Sequence, residues 1–306
     1  MKNAEVRFVL VYRKTRLQEL VERFNTWPQA QFYLEHNNVD VQDYLREHDH
    51  YQQQLQTSER ALKALGPVQI LERAYLPSYQ FSQRDIVVVI GQDGLVANCL
   101  KYLDGQPVLG VNPDPARWDG KLLRFEVPEM TSAVNKVLKD HAASKTVRFA
   151  EAFTNDGQCI RAVNDLFIGP KTHTSARYIV RWNEEEEAQS SSGIIVSTGF
   201  GSTGWFQSIL AGSMAVAGIE DHPMRVGFPW DASFLQFSVR EPFPSKTSGT
   251  RLIFGRVDED NPLTLESMMP ENGVIFSDGI EQDYLQFNSG CIAKVGMAET
   301  QGQLIW

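Results

Sequence analysis

Cysteine is scarce: the 306-residue chain has three, Cys99, Cys159 and Cys291, far apart in sequence. No CxxC and no metal-ligand spacing links them, which excludes a disulfide framework and a structural zinc site and points to reduced thiols. Long apolar runs are missing as well. No window of about 18 apolar residues occurs, so no membrane span is expected. The apolar stretch within MKNAEVRFVLVYRKTR is too short for a secretory signal and runs straight into charges, so the expected location is cytoplasmic. Cationic clusters are also absent. Lys and Arg total 29 against 38 Asp and Glu, a net charge of −9, and the basic residues are scattered singly. That field repels a nucleic-acid backbone, although backbone amides and a few cations can still hold a small anion. GxSxG, HExxH and GxxxxGK[ST] do not occur. With 22 glycines, 14 prolines and 42% hydrophobic residues, the chain has no low-complexity character and enough apolar content for a sizeable core.

What is present reads as two kinds of structure. Val6–Tyr12 is a buried strand, and Leu17, Leu20, Val21 and Phe24 place a helix over Thr15–Phe24. Asn25–Asp49 is mixed and polar and reads as loop plus short helix. Tyr51–Leu65 is a helix with Gly66 as its cap, and Val68–Leu71 a strand. Asp85–Ile90 (DIVVVI) has no polar alternation, as in a parallel strand buried on both faces. It ends at Gly91-Gln92-Asp93-Gly94, followed by a helix over Val96–Leu103 and a strand over Pro107–Val111, closed by Asn112-Pro113-Asp114-Pro115. After about Pro128 the pattern shifts. Thr131–Leu138 reads as a helix. Short β-rich runs follow at Thr146–Phe149, Ala162–Ile168, Arg177–Trp182, Gly193–Ser197, Phe234–Val239, Arg251–Phe254, Gly273–Phe276 and Ile292–Val295. The expected fold is an N-terminal Rossmann-like α/β domain over residues 1–130 and a C-terminal β-rich, sandwich-like domain over 131–306, the passage lying within 128–145.

The GQDG segment carries the first chemical signal. A parallel strand delivers it to the carboxyl edge of the sheet, where α/β proteins bind ligands. Gly91 and Gly94 allow close approach of a ligand, and the amino end of the next helix is a ready phosphate site. Asp93 between them could accept a proton from an attacking hydroxyl; equally, Gly-x-Asp-Gly suits a plain turn in which Asp caps an N–H. Asn164-Asp165 fits a bulge or turn as well as a ligand contact, and Thr198–Trp205 a glycine-rich bend. Ser277-Asp278-Gly279 reads as a hairpin turn that can also serve a site. GFGSTGW lies in the β-rich half with no clear helix–strand unit after it, which argues against a dinucleotide GxGxxG turn. Glu184–Glu187 reads as a solvated hairpin tip and His48 and His50 as surface residues. His173 is a lone loop histidine. Lys14 and Arg16 fit a solvated loop or a phosphate-facing edge.

In order along the chain stand GQDG, VND, STGFGSTGW and FSDG. This series resembles the NAD kinases, whose usual forms are GGDGT, LNE, TPTGSTAY and SFDG in the same order and at comparable separations. It is most like the divergent branch that includes the mitochondrial NAD kinase of animals, through RKTR, VLGVNPDP, NDLFIG with TSARY after it, SSG before TGxGS, Trp205 in place of tyrosine, and FSVREP at Phe237–Pro242. The resemblance spans nearly the whole chain. It implies transfer of a phosphate from ATP or polyphosphate to the 2′-hydroxyl of the adenosine ribose of NAD, with magnesium bridging the donor phosphates. It further implies small-molecule nucleotides as partners and a homo-oligomer, either dimer or tetramer.

Carried over residue by residue, the resemblance makes Asp93 the base. Gly91, Gln92, Gly94 and Leu95 offer backbone amides to donor phosphates. Asn164 and Asp165 hydrogen-bond adenine and ribose. Thr198, Gly201, Ser202 and Thr203 line the adenosine pocket with Trp205 as an apolar wall, and Ser175 and Arg177 contact NAD. Gln92 stands where the family has glycine, Leu95 where it has threonine and Asp165 where it has glutamate. The first two departures leave open a non-catalytic NAD(P)-binding protein. A related diacylglycerol- or sphingosine-type lipid kinase, with a similar glycine-rich loop, is the other alternative.

Overall fold

The structure, a computed structural model, describes residues 6–306. It resolves into two compact units, the first ending at Lys145 and regaining Gly302–Trp306, the second spanning Thr146–Gln301. A division at 130/131 would cut a helix whose Met130, Ala133 and Val134 are buried in the first unit's core.

The first unit is built on parallel strands β1 (Arg7–Tyr12), β2 (Val68–Glu72), β3 (Asp85–Ile90), β4 (Pro107–Asn112) and β5 (Phe125–Glu126). Their order is β2-β1-β3-β4; β5 pairs with the end of β4, and Gln303 and Leu304 pair parallel with its start. β3 is buried at every position, as its unbroken apolar run requires of a central parallel strand. Its one charged residue, Asp85, is 1% exposed. It survives there because Arg7 donates to both carboxylate oxygens at 2.9 and 2.7 Å and the Ser82 amide donates at 2.8 Å.

Among the described residues five α-helices accompany these strands: α1 (Arg16–Phe24), α2 (Trp27–His36), α3 (Val41–Lys63), α4 (Asp93–Leu100) and α5 (Val127–Leu138). Four differ from the sequence expectation; α5 starts at Val127 and not at Thr131. Asn25–Asp49 is not loop plus short helix but α2 and the first third of α3. α2 starts with Pro28 in its first turn and buries Ala30 and Leu34, one turn apart. α3 is capped by Asp40, which accepts from the Gln42 amide at 2.9 Å. Its long polar face hides the helical period over its first turns, so Tyr51–Leu65 showed only the second half. α4 starts at Asp93, with Gln92 as its N-cap, and not at Val96.

The second unit is antiparallel. Its strands are β6 (Ser144–Thr154), β7 (Cys159–Ala162), β8 (Asp165–Pro170), β9 (Ala176–Trp182), β10 (Glu185–Ser191), β11 (Ile194–Ser197), β12 (Leu235–Val239), β13 (Phe254–Val257), β14 (Leu263–Ser267), β15 (Gly273–Ser277), β16 (Ile280–Gln286) and β17 (Ile292–Ile305). One layer runs β10-β9-β14-β17, with β6 and β7 beyond it, and the other β13-β12-β11-β8-β15-β16. Side chains from both layers, among them Tyr178, Val180, Leu265, Leu166, Ile168 and Phe237, form one core, so the sandwich expectation is met.

Ala162–Ile168 is not one strand: β7 and β8 are separated by a bend at Val163-Asn164. The run expected at Arg251–Phe254 instead becomes β13, shifted to Phe254–Val257. The glycine-rich bend leads directly into an unforeseen helix, α6 (Trp205–Ala217). WFQSILAGSMAVA is apolar nearly all round, so it lacks the polar face that marks a surface helix. The next strand, β12, is antiparallel to β11, so the helix does not complete a dinucleotide-binding βαβ unit. Glu187 is not part of a solvated tip; it turns inward and accepts from the Arg251 and Leu252 amides and from Gln189. Among the described residues no helix is long and apolar enough to cross a membrane.

The segment after β4 folds back over the strand. A Cβ at Gly110 would lie 2.1 Å from the Leu122 carbonyl oxygen. Asn112 completes the return, donating to Trp118 O at 2.9 Å and accepting from the Asp114 amide at 3.0 Å. Gly110→Ala is expected to lower the unfolding free energy by about 3 kcal/mol, since backbone must move to admit the methyl group. Gly94→Ala, whose Cβ meets nothing within 4 Å, is expected to change it by less than about 0.5 kcal/mol. Urea denaturation of the two variants compares them.

Candidate active site

Each unit brings part of the expected site together. In the first, β3 ends at Ile90 and the chain turns through Gly91 and Gln92 into α4. Asp93 is the first residue of that helix. Its carboxylate accepts the Lys121 amide at 3.1 Å and the Leu122 amide at 2.8 Å, one on each oxygen. The carboxylate thereby pins the returning segment and keeps about half of its acceptor sites. The amides of Gly91 and Leu95, expected to face phosphate, are already used: Gly91 N–H donates to Val111 O at 3.3 Å and Leu95 N–H to Gln92 O at 2.9 Å. Leu95 is buried, 3% exposed. The amides of Asp93 and Gly94 stand in the first helical turn, where no helical carbonyl reaches.

Gln92 to Gly94 and Arg117 to Lys121 line a cleft of about 460 Å³. The Gln92 side-chain amide, oriented by the donors around it, accepts from Arg13 Nη2 at 3.1 Å and Trp118 Nε1 at 3.0 Å. Behind the cleft, Arg117 donates to both oxygens of Asp43 at 3.1 and 2.6 Å, and Arg16 donates to Asp43 at 2.8 Å. Hydrogen bonds from Arg117 first and Arg16 second hold the Asp43 carboxyl well below the usual carboxylate range. Arg16 also bonds the buried Glu47, and Lys14 is paired with Glu22 at 2.5 Å, so both serve ion pairs. His50 is exposed, as expected, with Nε2 2.9 Å from Pro113 O, whereas His48 is half-buried with Nδ1 2.8 Å from Thr15 Oγ1.

In the second unit three motifs converge on one bend. Asp278, in the β15–β16 turn with φ 56°, accepts the Val163 amide at 3.1 Å and the Asn164 amide at 2.7 Å. Its own N–H donates to Asp165 O at 3.0 Å. From the other side the Thr198 hydroxyl donates to the Val163 and Asn164 carbonyls and accepts the Gly201 amide at 3.1 Å. A Cβ at Gly201 would lie 2.1 Å from Asn164 O, so the approach depends on glycine there. The Ser202 hydroxyl donates to Gly199 O at 2.7 Å and accepts the Phe228 amide at 3.0 Å. Thr198 and Ser202 are fully buried; they therefore hold the bend together and do not line an open pocket. Thr203 is exposed. Ser175 and Arg177 are exposed around the start of β9, in the other layer, and no hydrogen bond or ring contact among the described residues joins them to the bend.

Asp165 differs from these supports. It is 6% exposed, and its carboxylate accepts no hydrogen bond among the described residues. Burial first, and the Asp278 charge second, raise its pKa to about 7. Phe167, two residues on, faces the same side of β8. Its ring is 4.8 Å from that of Phe276 and stacks at 8° on Trp205, 5.8 Å away. Arg240 Cζ lies 5.4 Å from the Trp205 ring. These aromatic rings, with Lys171, His173 and Ser192, line a cleft of about 520 Å³ on the outer face of the sheet. Gly169 and Gly193 make room for Phe167, since a Cβ on either would come within 2.8 Å of its ring. Phe167, Lys171 and Arg240 were not singled out from sequence, although Phe167 lies in NDLFIG and Arg240 in FSVREP. Among the described residues no three His, Cys, Asp or Glu side chains gather as metal ligands.

No family model matches the sequence, and no curated protein does. Solved structures do match. An NAD kinase from Archaeoglobus fulgidus in complex with ATP aligns over 98% of this chain and 94% of its own, with TM-score 0.57 and 15% identity. Yeast NADH kinase complexed with NADH aligns over 98% of this chain and 83% of its own, with TM-score 0.57 and 12% identity. The chain has the NAD kinase fold. Within that fold GQDG belongs to the first unit and the VND, STGFGSTGW and FSDG segments to the second.

The raised pKa of Asp165 has a stability consequence. Between about pH 4 and pH 7 the folded chain keeps a proton that the unfolded chain has released, so stability falls as pH rises through that window and levels off above it. Asp165→Asn removes the ionisation. The variant is expected to gain stability over wild type on going from pH 4.5 to pH 8, by on the order of 2 kcal/mol. Denaturant titrations of both chains at the two pH values check this; an advantage independent of pH would contradict the assignment.

Proposed function

We propose that this chain is an NAD or NADH kinase, which transfers the terminal phosphoryl group of ATP or polyphosphate to the 2′-hydroxyl of the dinucleotide's adenosine ribose. The observation that carries the reading is the ordered series GQDG, VND, STGFGSTGW and FSDG on an NAD kinase fold, the last three knotted at one bend. The ATP named with the archaeal structure and the NADH named with the yeast one fit the two substrates of this reaction. The branch-like stretches, RKTR and FSVREP among them, favour the divergent branch.

In this reading the second unit binds the nucleoside. The Asp165 carboxylate, buried without a donor, accepts from ribose hydroxyl or adenine amino groups and so regains the hydrogen bonds it lacks. Asn164 adds a second polar contact. Trp205, stacked on Phe167, offers a flat face to a ring, and Arg240 and Lys171 place positive charge beside it for the dinucleotide's phosphates. The first unit handles the donor. The first-turn amides of α4 face phosphate oxygens, and Asp93, held by two backbone amides, takes the 2′-hydroxyl proton as the ribose oxygen bonds to phosphorus and the bond to the leaving phosphate breaks. Positioning dominates such a transfer. A magnesium ion carried by donor phosphates needs few protein carboxylates; Asp119 in the cleft would fit that need, and the ion would neutralise phosphate charge.

Asp93→Asn keeps one carbonyl acceptor for the Leu122 amide and loses the base. The variant is expected to retain NAD binding by calorimetry and to lose about 10²-fold or more of its NADP formation in a coupled assay. One observation favours a non-catalytic protein: Leu95 is buried and brings no hydroxyl where the resemblance expects threonine. Dinucleotide binding by the wild-type chain without turnover from ATP or polyphosphate would select that reading.

The chain is also proposed to self-associate through α6. No Asp, Glu, Lys or Arg occurs between Glu187 and Glu220, while Val216 is 93% and Val226 84% exposed. In a chain of net charge −9 an uncharged apolar face is where copies meet with least repulsion. Val216→Lys is expected to shift the mass measured by light scattering after gel filtration toward the monomer.

A further inference from the structure

We infer that Arg13 is a positioning residue for the phosphate-transfer segment: its guanidinium holds Gln92 and Trp118 together and so sets the amino end of α4 and the wall of the adjoining cleft. The inference rests on the reading of that cleft as the donor site.

Arg13 follows β1 directly. The register pairs Val11 with Val89, so Arg13 leaves the sheet beside Gly91, at the same edge. Its backbone is fixed there by Tyr51, which is 2% exposed: the Arg13 amide donates to the Tyr51 hydroxyl at 3.2 Å, and that hydroxyl donates to Ile90 O at 2.8 Å. The strand end that launches the GQDG turn and the base of Arg13 therefore share one anchor.

The side chain then reaches across the turn. Nη2 donates to the Gln92 side-chain oxygen at 3.1 Å, which also accepts from Trp118 Nε1 at 3.0 Å. The guanidinium carbon sits 5.7 Å from the Trp118 ring centroid, and Nη2 is 3.5 Å from Glu47. Gln92 occupies the N-cap of α4. The Trp118 carbonyl is held by Asn112, and the Lys121 and Leu122 amides by Asp93. Arg13 thus ties the residue before Asp93 to the segment that Asp93 itself ties down.

Two observations separate positioning from charge and from packing. Arg13, Arg16 and Arg117 face Asp43, Glu47 and Asp114, so the cluster carries no surplus positive charge for a ligand. Arg13 Nε is buried without a hydrogen-bond partner among the described residues, so the guanidinium is oriented through Nη2 and the Trp118 ring. What remains is geometry: a planar fork that meets an amide and an aromatic face at once, which lysine cannot reproduce.

The test is a double-mutant cycle with Arg13→Lys and Gln92→Ala, read by calorimetry with magnesium tripolyphosphate and separately with NAD. Arg13→Lys is expected to weaken tripolyphosphate binding about tenfold, the loss of one positioned hydrogen bond, and to leave the NAD Kd within about twofold. The double variant is expected to lose no more than the worse single variant, because both changes break one unit. Trp118→Phe, which keeps the ring and removes the indole N–H, is expected to weaken tripolyphosphate binding in the same direction. Multiplying effects in the cycle, an equal shift in NAD binding, an unchanged tripolyphosphate Kd, or no tripolyphosphate binding by the wild-type chain would each overturn the inference. Tripolyphosphate binding with the expected coupling but no NADP formation would support Arg13's role and overturn the kinase reading alone.

Discussion

Within each unit, a carboxylate that captures two successive backbone amides organises the segment that carries the candidate residues. Asp93 holds the amides of Lys121 and Leu122, and Asp278 those of Val163 and Asn164. Hydrogen bonds to a charged acceptor are worth about 1.5–3 kcal/mol each, and paired amides fix direction as well as distance. Each aspartate therefore sets the path of a segment that has no regular secondary structure of its own. The conformations of 113–123 and 163–164 are consequences of those contacts, together with the close approaches at Gly110 and Gly201.

Against this scaffold Asp165 is the exception. Most buried polar side chains around the bend have partners; Thr198 and Ser202 are satisfied by carbonyls and amides. Asp165 has none among the described residues and sits beside another carboxylate. A fold tolerates such a group at a loss of stability, and the loss is recovered when a ligand supplies donors. The neighbouring aromatic stack adds a surface suited to a planar ring. Support and reactivity are thus divided among residues that look alike in sequence.

The division shows how far the chain could be read without coordinates. DIVVVI announced a central parallel strand, and the later short apolar runs announced a sandwich, because burial on both faces and strand alternation are local patterns. α2, the start of α3, and α6 were hidden for opposite reasons: α3 begins too polar, and α6 is too apolar, to show a helical period. At the site, residue identities were legible but their duties were not. Thr198 and Ser202 were expected to face a ligand and instead close a bend. The amides of Gly91 and Leu95 were expected to bind phosphate and are consumed by Val111 and Gln92.

Composition and pattern by themselves determined that this chain forms a parallel α/β unit followed by an antiparallel sandwich, and motif order pointed to the NAD kinase fold. The first follows from hydrophobic periodicity and turn chemistry, which act between near neighbours; the second is what the resemblance of the motif series implies. Which hydroxyls and amides are spent on the fold, which carboxylate is left unpaired, and that Arg13 meets Gln92 and Trp118 were decided only in three dimensions. Those outcomes depend on contacts between residues distant in sequence, such as 93 with 122 and 163 with 278, and the hydrogen-bonding capacity left to each group is known only once those contacts have formed.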